Sequence, residues 1–101
     1  MSGMVKEGSV LDLACGYGEF VNNVDVRTKY AVDLNLDTAR YLNSDVRFIC
    51  CPADDLSHIE TGTLDRVFTS NFLEHQPDKG TCDRVLKEVL RVLRPGGQFI
   101  C

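Results

Sequence analysis

Tryptophan is missing from the chain, histidine occurs twice and proline three times, and nowhere do Lys and Arg run together long enough to track a phosphate backbone. Eleven basic residues lie scattered among fifteen acidic ones, and the formal net charge of -4 gives no electrostatic reason to expect nucleic acid or an anionic membrane as partner. No apolar run approaches the roughly 20 residues of a membrane-spanning helix, and no stretch has the pattern of a signal peptide, so a cytoplasmic location is expected. The five cysteines, at 15, 50, 51, 82 and 101, have neither an even count nor metal-ligand spacing. They read as reduced thiols acting as small hydrophobes, and no metal site is expected. There is no internal repeat and no low-complexity tract.

What is present is one small globular domain of 101 residues, 44% apolar and 26% charged. Its centre is Val10-Leu11-Asp12-Leu13-Ala14-Cys15-Gly16-Tyr17-Gly18-Glu19-Phe20, an apolar run holding one carboxylate and broken by two glycines. That pattern reads as a buried strand (9–13) feeding a tight turn and a brief helix marked by Phe20, Val21 and Val24. Further strands are expected at 29–34, 46–50 and 64–70, with a fifth beginning at Gln98. A short helical segment at 36–42 has Asn35 as its cap. The clearest helix spans about 81–93, where Cys82, Val85, Leu86, Val89, Leu90 and Leu93 form an apolar stripe of 3.6 periodicity. Pro95-Gly96-Gly97 stops it. Strands alternating with helices imply right-handed crossovers and a doubly wound, mostly parallel α/β sheet.

Asp12, Asp33 and Asp54 each lie in or just past a successive strand, so this fold would gather them on one rim of the sheet. Carboxylates there, beside a glycine turn, suit a ligand with an amine to pair, a ribose diol and an adenine edge. Asp54 and Asp55 also have an ordinary reading as turn residues.

The order of these motifs resembles the class I S-adenosylmethionine-dependent methyltransferases, close to the branch that alkylates small molecules, over Val10 to Cys101. The resemblance implies a Rossmann-like core with strand order 3-2-1-4-5 and S-adenosylmethionine as cofactor, leaving S-adenosylhomocysteine as product. It places Asp12, Ala14, Cys15, Gly16 and Gly18 at the methionine part of the cofactor, with Ala14 standing where the family's first glycine falls. Asp33 would hold the ribose and Leu34 would lie beside the adenine. Ala53, Asp54 and Asp55 would meet the adenine edge and face, and Ser70 would line the cofactor from the motif after the fourth strand. Tyr17, Phe72 and Glu74 become acceptor-side residues. His75 is the candidate general base, needed only if the acceptor must lose a proton.

A nicotinamide or flavin Rossmann protein fits less well, because its fingerprint needs glycine where Val21 stands and places a diphosphate beside the helix start, here Glu19. The functional expectation is methyl transfer to a small-molecule acceptor by in-line displacement. Residues 1–101 would form an incomplete S-adenosylmethionine-binding core, since the chain stops inside an apolar strand and full members of the family continue beyond it. The alternative is a non-catalytic nucleoside-binding or assembly module, in which an exposed fifth-strand edge pairs with a second copy.

Overall fold

The computed structural model describes residues 6–13, 17–69 and 79–100; Ala14, Cys15, Gly16, Ser70, Phe72, Glu74 and His75 lie outside the described residues. Five strands, β1 (Lys6–Leu13), β2 (Val26–Asp33), β3 (Val46–Cys50), β4 (Leu64–Phe68) and β5 (Leu93–Ile100), form one sheet in the order β3-β2-β1-β4-β5. Every neighbouring pair is parallel. Helix α1 (Glu19–Asn23) connects β1 to β2, a 3-10 helix (Leu36–Tyr41) connects β2 to β3, and α2 (Lys79–Val92) leads into β5. This is the doubly wound α/β sheet and strand order expected. Among the described residues no helix is long and apolar enough to cross a membrane.

Alternation along the strands separates two faces. Leu11, Leu13, Val32 and Val67 pack on Val85, Val89 and Val92 of α2 and on Leu56 and Ile59 of the connection before β4. On the other face Val21 of α1 packs with Ala31 and Val46. The helical stripe is narrower than the sequence suggests. Val85, Val89 and Val92 are fully buried, whereas Leu90 is 70% exposed. Successive helix positions turn by about 100°, so Leu90 is carried off the line through Val85 and Val89, and the sheet accepts a single ridge.

Several element bounds differ from the sequence reading. β1 and β2 each begin three residues earlier, and the segment after β2 is a 3-10 helix whose cap is Asn35, the side chain accepting from the Asp37 amide at 3.0 Å. Pro95-Gly96-Gly97 does not separate α2 from β5 but lies within that strand. Leu64 pairs with Leu93 and Arg66 with Gln98, so two steps along β4 match five along β5. Gly96 has φ 83° at this irregularity, a conformation open to glycine. A β carbon on Gly97 would lie 3.1 Å from the Asp65 carbonyl oxygen.

Candidate functional site

β1 is the strand from which the chain winds to both sides, with β2 on one flank and β4 on the other. The carboxyl ends of β1, β2 and β4 therefore bound the crevice in which an open α/β sheet receives ligands.

Asp12 sits at this rim with 3% of its surface exposed. Its carboxylate accepts from the Val21 amide in the first turn of α1, which helps to fix where that helix starts. Burial is the largest influence on this carboxyl and raises its pKa to about 6; the Val21 amide lowers it and the nearby charge of Asp33 raises it further. Asp33 ends β2 and accepts from the Asn35 amide at 3.0 Å, so its carboxylate is turned toward the loop past the strand end. Leu34 follows it and is 71% exposed, and the Cys50 thiol donates to the Leu34 carbonyl at 3.4 Å.

Gly18 precedes α1 with φ 76°, and a β carbon there would lie 2.5 Å from Leu42 Cδ2. The backbone conformation therefore asks for glycine, and any β carbon would also oblige the end of the Leu42 side chain to move aside. Tyr17 is exposed beside it and meets Tyr41 edge-on, with ring centroids 4.9 Å apart. Tyr17, Leu34, Leu36 and Tyr41 together leave large hydrophobic side chains in solvent around this end of the sheet.

The third expected acid is held differently. Ala53 and Asp54 lie in a turn after β3, and Arg84 of α2 donates from Nε to Asp54 Oδ2 at 3.1 Å. Asp55 accepts from the Ser57 amide, and hydrogen bonds from Ser57 hold its carboxyl below the usual range. Asp12 and Asp33 thus share one side of the rim with α1, while Asp54 is tied to the side of α2. The same connection is fastened further along: Glu88 accepts from the Leu56 amide at 3.0 Å, and Arg91 donates to the carbonyls of Leu56 and Ile59 at 2.8 and 3.1 Å.

A cleft of about 620 Å³ opens at the opposite end of the sheet, lined by Gly8, Ser9, Arg66, Arg94 and Gln98 among others. Asp65 within it is already engaged by the Ser9 amide and the Arg94 guanidinium, which hold its carboxyl low. The carboxyl-end rim has the better claim to function, because there one acid is buried beside another and apolar side chains are uncovered.

Sequence reasoning singled out Asp12, Gly18, Asp33, Leu34 and Tyr17, and these meet at the rim. It missed Arg84, Asn22 and Tyr41. Arg84 reaches Asp54 across 30 residues of sequence, so no local pattern could point to it. The groups at the rim fit S-adenosylmethionine on the structure's own terms: carboxylates to accept from a cationic amino group and a ribose diol, uncovered apolar side chains for a base, and Gly18 for close backbone approach.

Comparison with known proteins bears on the same point. The model of the family described as "Methyltransferase domain" matches residues 11–101. A solved protein of Pyrococcus horikoshii is 34% identical with a TM-score of 0.79, covering 94% of this chain and 49% of that one. An arsenic(III) S-adenosylmethionine methyltransferase of Chlamydomonas reinhardtii shares the fold at 24% identity and a TM-score of 0.76, covering 98% of this chain and 40% of that one. Among curated proteins, chondramide synthase of Chondromyces crocatus is 28% identical over 99 residues, 87% of this chain and 2% of the synthase. The chain therefore spans about half or less of the solved relatives it matches.

Proposed function

The chain belongs to the methyltransferase domain family, whose cofactor is S-adenosylmethionine, and from that premise we propose that residues 1–101 form the cofactor-binding core of an enzyme that methylates a small-molecule acceptor by in-line displacement. The observation that carries the reading is buried Asp12 within reach of the charge of Asp33 at the end of β2, with Leu34 and Tyr17 uncovered.

In this reading Asp33 accepts from the ribose hydroxyls and Leu34 packs against the adenine. Asp54, held through Oδ2 by Arg84, offers its second oxygen to the exocyclic amine, and Ala53 and Asp55 flank the base. The backbone of Ala14, Cys15, Gly16 and Gly18 holds the methionine part, and Asp12 fixes the start of α1 under it while offering negative charge to the amino group. Ser70 would line the cofactor. When bound, S-adenosylmethionine supplies a methyl group already activated by its sulfonium. The protein's task is then alignment and exclusion of water rather than activation. Phe72 and Glu74 would line the acceptor, Tyr17 would close over the cofactor, and His75 would take a proton where the acceptor must lose one.

Calorimetric titration of the chain with S-adenosylmethionine and S-adenosylhomocysteine, run beside NAD, tests the cofactor half of the proposal. Saturable binding of both sulfur nucleosides, absent for NAD and lost in Asp33→Ala, is the expected result. A folded sample that binds neither overturns it. Transfer of a radiolabelled methyl group to a panel of small acceptors tests the other half; label arriving only on protein or nucleic acid would reject the small-molecule reading.

A further inference from the structure

Three consecutive residues, the last of the 3-10 helix and the two that follow it, dock one by one onto residues 17–22. The Tyr41 ring meets the Tyr17 ring edge-on at 4.9 Å, Leu42 covers Gly18 at a distance that leaves no room for a β carbon, and Asn43 binds Asn22. Asn22 uses both ends of its carboxamide in doing so. Its Nδ2 donates to the Tyr41 carbonyl at 2.8 Å and its Oδ1 accepts from the Asn43 amide at 2.8 Å, while Asn43 Nδ2 donates to the Asn22 carbonyl at 3.2 Å. The two segments belong to different parts of the rim: 17–22 follows the glycine turn, and 41–43 follows the segment that begins at Asp33. Among the described residues, Asn22 belongs to neither of the two apolar clusters.

We propose that Asn22 is a positioning residue for the nucleoside part of the cofactor, setting the Tyr17–Tyr41 pair as an aromatic corner against which the base stacks. The inference rests on the cofactor reading above and deepens it. An edge-on pair at an interplanar angle of 90° leaves the faces of one ring uncovered, and both rings are solvent-exposed, Tyr17 at 69% and Tyr41 at 48%. A planar base is the ligand chemistry that such a face receives, because every base has a π-face to stack. Without the carboxamide the 41–43 segment would still be tied by Leu42 against Gly18 and by Asn43 on the Asn22 carbonyl, but the Tyr41 backbone would lose the hydrogen bond that fixes where its ring departs.

The test is a double-mutant cycle on the full chain, read as the dissociation constant of S-adenosylhomocysteine by calorimetry, with near-ultraviolet circular dichroism reporting the tyrosine environment. Tyr41→Ala and Asn22→Ala should each weaken binding about tenfold, the loss of one stacked contact. Asn22→Ala should also reduce the tyrosine dichroism. Because the clamp acts through Tyr41, the double variant should bind about as the singles do, not about a hundredfold weaker as independent effects would give. Asn22→Asp, which keeps the acceptor for the Asn43 amide and loses the donor to Tyr41, replaces Asn22→Ala if that chain does not fold, and carries the same expectation. Unchanged affinity in the folded Asn22 variant, or losses that multiply, overturns the inference while leaving the cofactor reading intact. Failure of the unmodified folded chain to bind overturns both.

Discussion

The two faces of the sheet are built on opposite principles. Among the described residues, the α2 face holds a continuous cluster of ten buried apolar residues, those of the helix included, closed at its edge by Glu88 and Arg91; on the α1 face the cluster numbers three, Val21 of the helix included, and the same face buries Asp12 and Lys29. Two carboxylates condense the contrast. Hydrogen bonding from Arg91 holds Glu88 below its usual pKa, whereas burial raises Asp12 to about 6. One face spends its polar groups on closing the fold. The other keeps an acid buried next to a second acid, a cost that makes physical sense where a ligand arrives.

If that division is right, the largest loss of stability comes from the α2 face. Leu11→Ala, at a fully buried position, should cost about 2–5 kcal/mol in urea unfolding through lost burial and the cavity left behind. A cost under about 1 kcal/mol would mean that this core collapses around the gap and is less tightly built than its burial suggests. Asp12→Asn should do the reverse. Its rise from 3.8 to about 6 means that folding stability is fully present below the unfolded value and is lost as pH climbs through the folded one, by on the order of 3 kcal/mol. Removing the charge should therefore stabilise the chain above about pH 6 by an amount of that order or less, flatten its stability profile between mildly acid and mildly alkaline buffer, and weaken S-adenosylhomocysteine binding. Stabilisation without loss of binding would break the link between the buried acid and the ligand.

Glu88 should act with the opposite sign. Its lowered pKa contributes stability above the ordinary value of 4.5 that is lost as pH falls through the folded value. Arg91→Ala should reduce that acid-side loss, leaving the part due to the Leu56 amide, which unfolding midpoints across the acid range would show. Gly18→Ala comes next in size: the left-handed backbone costs about 1–2 kcal/mol for any residue with a β carbon, and the approach of Leu42 Cδ2 must also be relieved. Thermal unfolding measures the cost, and a matching fall in cofactor affinity would assign it to the rim. At the small end, Arg47 lies 5.7 Å from the Tyr30 ring centroid on an exposed surface, and Arg47→Gln should shift stability by no more than about 0.5–1 kcal/mol.

Much of this architecture is readable in the chain because it depends on local patterns. The run from Val10 to Leu13, the β-branched and apolar pattern of Val46 to Cys50, and the helical spacing of Val85 and Val89 each specify an element without reference to anything distant. Asp33 and Gly18 are legible for the same reason, one ending a strand and the other opening a turn. What stays hidden depends on tertiary partners. Leu90 has the right spacing to join the stripe but faces solvent, since only the docking of α2 decides which edge of a stripe is covered. Pro95-Gly96-Gly97 has the composition of a turn, and only the pairing of Leu93 with Leu64 makes it part of β5. Asn22 gives no signal on its own, because its partners Tyr41 and Asn43 are about twenty residues away.

That irregularity in β5 also governs how the sheet can grow. Pro95 has no amide hydrogen to offer, and the residues around Gly96 leave the regular pairing with β4. The first half of this border strand is therefore a poor template for a neighbour, while Gln98, Phe99 and Ile100 keep the regular register with Arg66, Val67 and Phe68. Any strand added alongside, from this chain's own polypeptide or another, is steered to those last residues. Among the described residues, the β5 border thus carries a built-in guard against indiscriminate extension and a short berth where extension is permitted.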